Sequence, residues 1–417
     1  MRILYILGDY KPDMSANGVC SNNVINQLIS EGHEVTVLCN TVDGVPNYAK
    51  KGNLTVVRVK PKLVLRLNKK SDKLCKTSPL RSRFYRLIST VINKLQLTLT
   101  LPWWPRVSFS EISRFKKAAI KLHRENRFDA VVSVYTPVYA LLAGYGLKKR
   151  FPEIKYYPYF LDSLSGGYGP RFFSKEDIVK HGLKIEKRIF PYADRIVIMK
   201  ASLEHHKKYN AEFVDKLTVL DVPTFCKGDG KIKDTSAKKQ GDPIKFLYVG
   251  SIISAKRDPS DILRVVNEVR EDNITCEFVG TIDCQHLFEP LKKKLGDRLI
   301  LSGQLPHDEV MRKIAEADVL LNIGCPLPTM IPCKIFEYLV FGKPIISTYI
   351  NDDEPSIPHL KNYPLALLLD CRSTENFGEK ISEFLEKTQN VSIDEKELAE
   401  IYRLNSPVAF TEIITRE

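Results

Sequence analysis

The sequence has no Cys-x-x-Cys pair, no Gly-x-Gly-x-x-Gly, no Asp-x-Asp, and no apolar run near the roughly 20 residues of a membrane-spanning helix. Its nine cysteines lack metal spacing with His and several fall in apolar runs, so they read as reduced core thiols rather than as zinc ligands or a disulfide framework. The first loop, without the glycine fingerprint, disfavours a dinucleotide dehydrogenase. Without Asp-x-Asp there is no paired carboxylate to seat a divalent metal on a diphosphate. Residues 1–7 start as a strand at Met1 and not as a signal peptide. The expectation is a soluble or peripheral cytoplasmic protein, on the inner face of the cell membrane.

Acidic residues are also scarce along one stretch. Arg58, Lys60, Lys62, Arg66, Lys69, Lys70, Lys73, Lys76, Arg81, Arg83 and Arg86 meet only Asp72, with leucines and Phe84 interleaved and Trp103-Trp104 following. Such mixing suits an anionic lipid surface, where each basic side chain contributes about 1 kcal/mol and Trp anchors at headgroup level. A solvated loop and a nucleic-acid surface are the alternatives, the last disfavoured. The whole chain carries a net charge of +13.

What is present reads as two α/β domains, the default for 417 residues. Residues 2–7 form a buried parallel strand, then come a loop at 8–18, a helix to about Glu31 and a strand at 34–38. The βα alternation continues through a helix at 110–125, a strand at 130–134, a helix at 137–150 and a strand at 155–160. The expected limits are 1–226 for the first domain, with a basic insertion at about 58–106, and 227–242 for a Gly/Lys/Asp-rich linker. The second domain then covers 243–390, and 391–417 holds C-terminal helices, the last crossing back onto the first domain.

Three stretches carry chemistry. At 330–348 a Pro-containing loop, a short amphipathic helix and a Pro-Ile-Ile strand follow one another, and a helix start is an anion site. Lys334 in that first turn opposes the dipole by roughly 0.3–1 kcal/mol unless an anion joins it. Glu337 is placed to accept two hydrogen bonds from vicinal hydroxyls. The plain alternative is a Lys334 that points to water and a Glu337 that complements the dipole. At 250–257 a strand ends in Gly250 before Lys256-Arg257, a loop able to cradle a diphosphate. At 160–167 a strand ends in Asp162 and two glycines at a carboxyl edge, where open α/β sheets bind ligands; a turn cap is the alternative. His205 and His206 are adjacent, cannot share a helix face as metal ligands, and read as surface residues.

Pro332-Cys-Lys-Ile-Phe-Glu-Tyr-Leu with Gly342-Lys-Pro-Ile-Ile resembles the donor-binding motif of family 4 glycosyltransferases, and the likeness extends along most of the chain. It implies an α/β GT-B fold, two Rossmann-like domains whose parallel sheets face a central cleft. By resemblance Glu337 holds the ribose of a nucleotide sugar, and Thr329 stands where the family's preceding Glu touches the sugar. Met330, Ile331 and Lys334 flank the donor diphosphate at that helix start. Gly18 matches the glycine whose backbone lies against donor phosphates and acceptor, and Leu305 presents backbone groups to the nucleobase. Gly250 and Lys256 match the family's phosphate loop, while Ser251 and Arg257 replace its Arg and Gly, so that Arg257 supplies the guanidinium. Leu161 takes the place of a family His, which leaves Asp162 as the ionisable candidate nearby. The implied catalytic set is Lys256, Arg257 and Asp162.

The resemblance implies metal-independent, cofactor-independent hexosyl transfer with retention, from a UDP-sugar to a hydroxyl of a glycan or lipid-linked acceptor, in cell-surface polysaccharide biosynthesis. Two other classes stay open: a UDP-hexose 2-epimerase of the same fold, and a non-catalytic scaffold or partner protein.

Overall fold

Short apolar runs rich in β-branched and aromatic residues form the strands, and the amphipathic runs between them form the helices. The computed structural model describes residues 1–12, 14–60, 63–75, 77–225, 241–254, 257–389, 391, 393 and 395–415. The chain divides into two units, Met1–Pro223 with Pro407–Glu417, and Thr224–Ser406. The expected linker, Lys256, Lys62 and Lys76 lie outside the described residues, apart from linker positions 241 and 242.

The first unit opens with β1 (Arg2–Ile6), α1 (Ala16–Ser30), β2 (Glu34–Asn40), β3 (Tyr48–Lys51) and β4 (Leu54–Val59). Two helices, α2 (Leu63–Leu74) and α3 (Pro79–Thr100), precede α4 (Phe109–Asn126) and β5 (Ala130–Tyr135). Next come α5 (Val138–Arg150), β6 (Lys155–Phe160), α6 (Lys175–Ile189), β7 (Ile196–Met199), α7 (Leu203–Tyr209) and β8 (Leu217–Leu220). The sheet order is β3-β4-β2-β1-β5-β6-β7-β8, parallel except for the exposed edge strand β3, which the sequence pattern did not announce. Ile3, Leu4, Tyr5 and Ile6 of β1 are fully buried, as a central parallel strand covered on both faces requires. The strand order reverses between β1 and β5, which makes their carboxyl ends the switch point.

The basic stretch is a helical hairpin and not a loop. Its two helices meet through small polar side chains: the buried Ser71 hydroxyl donates to the Ser82 carbonyl at 2.8 Å, and Ser89 bonds Asn68. Val64 of α2 is buried, but a row of apolar residues on α3 faces out. Leu80, Phe84, Leu87, Val91 and Leu95 recur at i, i+4, i+7, i+11 and i+15 along α3, all well exposed. Trp103 is exposed, whereas Trp104 packs on the rings of Phe173 and His181.

The second unit runs β9 (Ile244–Val249), α8 (Ser260–Glu268), β10 (Ile274–Val279), α9 (Glu289–Leu295), β11 (Leu299–Gly303), α10 (His307–Glu316) and β12 (Val319–Ile323). It continues with α11 (Lys334–Val340), β13 (Ile345–Tyr349), α12 (Ile357–Leu360), β14 (Ala366–Asp370), α13 (Gly378–Thr388) and α14 (Glu395–Ile401). Its all-parallel sheet, in the order β11-β10-β9-β12-β13-β14, reverses between β9 and β12. The last helix, α15 (Pro407–Thr415), belongs to the first unit: the Phe410 ring packs at a tilt against Tyr159, centroids 4.5 Å apart, and the Thr411 hydroxyl donates to Glu31 at 2.8 Å. Among the described residues no helix is long and apolar enough to cross a membrane.

Candidate functional site

In the second unit the switch point lies at the carboxyl ends of β9 and β12, and most of the sequence-derived residues converge there. Gly250 closes β9 at φ +152°, a conformation open to glycine, and a Cβ at this position would sit 2.9 Å from the Tyr248 hydroxyl and 3.3 Å from Cε of Lys334. The Lys334 side chain therefore runs directly over this loop. Helix α11, which begins at Lys334, is tied to β9 because the Val249 backbone N–H donates to the buried Tyr338 hydroxyl at 2.9 Å. The Arg257 guanidinium donates to the Tyr248 hydroxyl at 3.3 Å. Gly250, Arg257 and Lys334 thus share one place, with Glu337 in the first turn of α11.

The electrostatics of this place favour an anion. Burial pushes the Lys334 ammonium below the ordinary lysine range; Glu337 opposes that shift and Arg257 adds to it. Two cations against one carboxylate on a backbone-lined loop make a cradle for a polyphosphate. Thr329 and Ile331 are buried and Met330 half-buried in the loop ahead of α11, while Leu305 is half-buried on the turn between β11 and α10, two strands from β9.

The loop leading to α11 is held by a residue the sequence reading missed. Glu354, buried beyond β13, accepts from the Cys325 N–H at 2.9 Å, the Ser356 N–H at 2.9 Å and the Ile357 N–H at 3.2 Å. Burial raises its carboxyl and these bonds work against the rise. An acidic residue shortly beyond a strand's carboxyl end was the available signal. Gly280 closes β10 so tightly that a Cβ there would lie 2.1 Å from the Gly250 carbonyl oxygen.

The first unit gathers its own set at its switch point. Asn17, in the first turn of the helix that the buried Gly18 helps to start, brings its amide to 3.4 Å from Asp162 and 3.4 Å from the Thr136 hydroxyl. Burial raises the Asp162 carboxyl above its ordinary range, and the Asn17 bond partly offsets this. A Cβ on Gly18 would meet Asp9 at 2.8 Å and Met14 at 3.0 Å, so the residue's smallness is needed locally. Asn17 and Thr136 carried no motif in the sequence and are close only because β1, β5 and β6 are neighbours.

The segment that carries Asp162 rests on a buried polar cluster. Glu186 accepts from the Ser165 N–H at 3.0 Å, the Ser165 hydroxyl at 2.9 Å and the Asn210 amide at 2.8 Å, and His205 lies 2.7 Å from the same hydroxyl. The surface reading of the His pair is therefore corrected. His206 is fully buried, its imidazole pushed down to about 4 by that burial, and His205 is drawn inward by Ser165. Adjacency had ruled out a shared helix face but not burial. Among the described residues no group of His, Cys, Asp or Glu side chains is placed to hold a metal ion.

Comparison with known proteins adds two findings. Residues 243–387 match the family model of glycosyl transferases group 1. Among solved structures, sucrose-phosphate synthase from Thermosynechococcus elongatus aligns with a TM-score of 0.65 at 13% identity, covering 100% of this chain and 98% of the other. The Anabaena protein Alr3699/HepE in complex with UDP-glucose gives a TM-score of 0.60 at 13% identity, with 100% and 98% coverage. WaaG, a glycosyltransferase involved in lipopolysaccharide biosynthesis, gives 0.57 at 13% identity, with 99% of each chain covered. A search of curated proteins finds no match.

Proposed function

We propose that this protein, which has the fold of the GT-B glycosyltransferases and matches the glycosyl transferases group 1 model over residues 243–387, transfers a hexosyl group from a UDP-sugar to a hydroxyl of a glycan or lipid-linked acceptor. The observation that carries the reading is the convergence of Gly250, Arg257, Lys334 and Glu337 on one switch point. Glu337 takes the ribose hydroxyls, and Arg257 and Lys334 take the diphosphate. Lys256, which lies outside the described residues, is proposed to join them. The turn at Leu305 meets the base, and Thr329, Met330 and Ile331 border the sugar and diphosphate. Asp162, with Asn17, supplies hydroxyl-binding groups in the first unit, beside Gly18.

Transfer proceeds with retention and without a metal or cofactor. The bond from the anomeric carbon to the diphosphate oxygen breaks, the bond to the acceptor oxygen forms on the same face, and the acceptor proton passes to a diphosphate oxygen. The cations stabilise the charge that develops on the leaving group. The protein is placed in the cytoplasm, peripheral on the inner membrane face, in surface polysaccharide synthesis. The hairpin α2–α3 supports that placement: it buries serines, exposes a leucine-rich stripe and flanks it with Arg81, Arg83 and Lys94.

The test is an incubation of the full chain with labelled UDP-hexoses and membrane extract, with chelator present. A labelled glycan or lipid product with retained anomeric configuration is expected. Interconversion of UDP-hexoses, or UDP binding without any turnover, would overturn the proposal.

A further inference from the structure

The first unit contains a cavity that no part of the donor chemistry uses. It measures about 370 Å³ and is lined by Thr41, Asp43 and Asn47 on one side and by Lys60, Arg66, Lys69, Lys70 and Lys73 on the other. Its place is set by the fold: Thr41 directly follows β2 and Lys60 directly follows β4, at the carboxyl edge of the sheet. Arg66, Lys69, Lys70 and Lys73 stand at i, i+3, i+4 and i+7 on α2, and so occupy one helix face turned to that edge.

Five cations around one cavity meet a single carboxylate. Asp43 lies 3.5 Å from both Lys69 and Lys73, in exposed pairs that contribute little. Like charges at i, i+4 weaken a helix, so the face is costly to build unless an anion shares it. The opposite wall is preformed. The Thr41 hydroxyl donates to the Asn47 side chain at 2.9 Å, and the buried Arg58 guanidinium donates to the Pro46 carbonyl at 2.9 Å. Arg58 also donates to the Lys11 carbonyl at 2.9 Å, which joins this wall to the loop between β1 and α1. Lys70 is steadied over the Tyr85 ring at 4.5 Å.

A second cavity of about 310 Å³ is lined in part by sequence neighbours of residues that line the first. Asn40 lines it where Thr41 lines the other, and Leu65 lines it where Arg66 lines the other. Its remaining wall mixes polar Arg106, Glu111 and Tyr139 with apolar Val107 and Ile112, a composition suited to a sugar ring. We infer that the first unit binds a phosphate-bearing acceptor, with its phosphate or diphosphate in the basic cavity and the attached sugar in the second one. The inference rests on the transferase reading and deepens it, by assigning the acceptor to the class of phosphorylated or diphosphate-linked glycans. The phosphate comes either from a membrane-embedded headgroup or from a free phosphorylated molecule.

The experiment titrates inorganic pyrophosphate into the full chain already saturated with UDP, so that the donor site is occupied. Binding is expected, and Arg66→Ala combined with Lys70→Ala should weaken it about tenfold or more, with UDP affinity kept as the check on folding. The milder pair Lys69→Gln and Lys73→Gln serves if the first does not fold. Vesicles containing phosphatidic acid separate the sources. Pocket-dependent vesicle binding that pyrophosphate displaces identifies a headgroup, and vesicle binding that the variant leaves unchanged identifies a free phosphorylated ligand. A chain that binds UDP but takes up no pyrophosphate, or takes it up equally in the variants, overturns the inference. If the unaltered chain fails to bind UDP, the donor reading falls alone, and the pyrophosphate comparison decides the cavity by itself.

Discussion

Asp162 is a carboxyl that burial holds above the ordinary aspartate range, at the switch point of the first sheet. Because the folded chain keeps this proton more tightly than the unfolded chain, the ionised group costs stability at neutral pH, and the cost vanishes below the unfolded value of 3.8. Asp162→Asn is therefore expected to raise the thermal midpoint at pH 7.5, with a gain that shrinks toward pH 4, while transfer activity falls. Scanning calorimetry over that range checks it, and a variant less stable than the parent at pH 7.5 would refute it. His206 works in the opposite direction. Its imidazole titrates at about 4 instead of 6.5, so its contribution is present above 6.5 and is lost as pH falls through 4. Some of these residues could be read from local pattern: Lys334 and Glu337 flank a helix start, and Gly250 ends an apolar run. Others could not. Asn17, Thr136, Glu186 and Glu354 act through partners far away in sequence, and no local spacing encodes those meetings.

At the scale of elements, the strands and long helices followed from periodicity, and the hairpin did not. Its charges concealed a helix whose inner face is serine and whose outer face is leucine, the reverse of an ordinary surface helix. Such a stripe has no reason to face water, and a lipid surface would cover it. Leu87→Glu with Val91→Glu should abolish co-sedimentation with vesicles of anionic lipid, while UDP affinity holds. Undiminished vesicle binding would separate the stripe from the membrane. The edge strand β3 was equally unannounced, because its four residues are all exposed and carry no buried face for alternation to reveal.

For the whole molecule, there are two series of βα units, each reversing strand order once, and such reversals are where open α/β sheets bind ligands. That much was legible, since a fold of parallel strands needs only apolar runs separated by amphipathic helices. Which strands become neighbours was not, and the buried supports of both sites depend on it. The central claim is that Gly250, Arg257, Lys334 and Glu337 form a nucleoside diphosphate site. Calorimetric titration of UDP into the full chain and into Glu337→Ala tests it most directly. UDP binding that the substitution weakens about tenfold is the expected result. An affinity that the substitution leaves unchanged, or no binding by the unaltered chain, would contradict it.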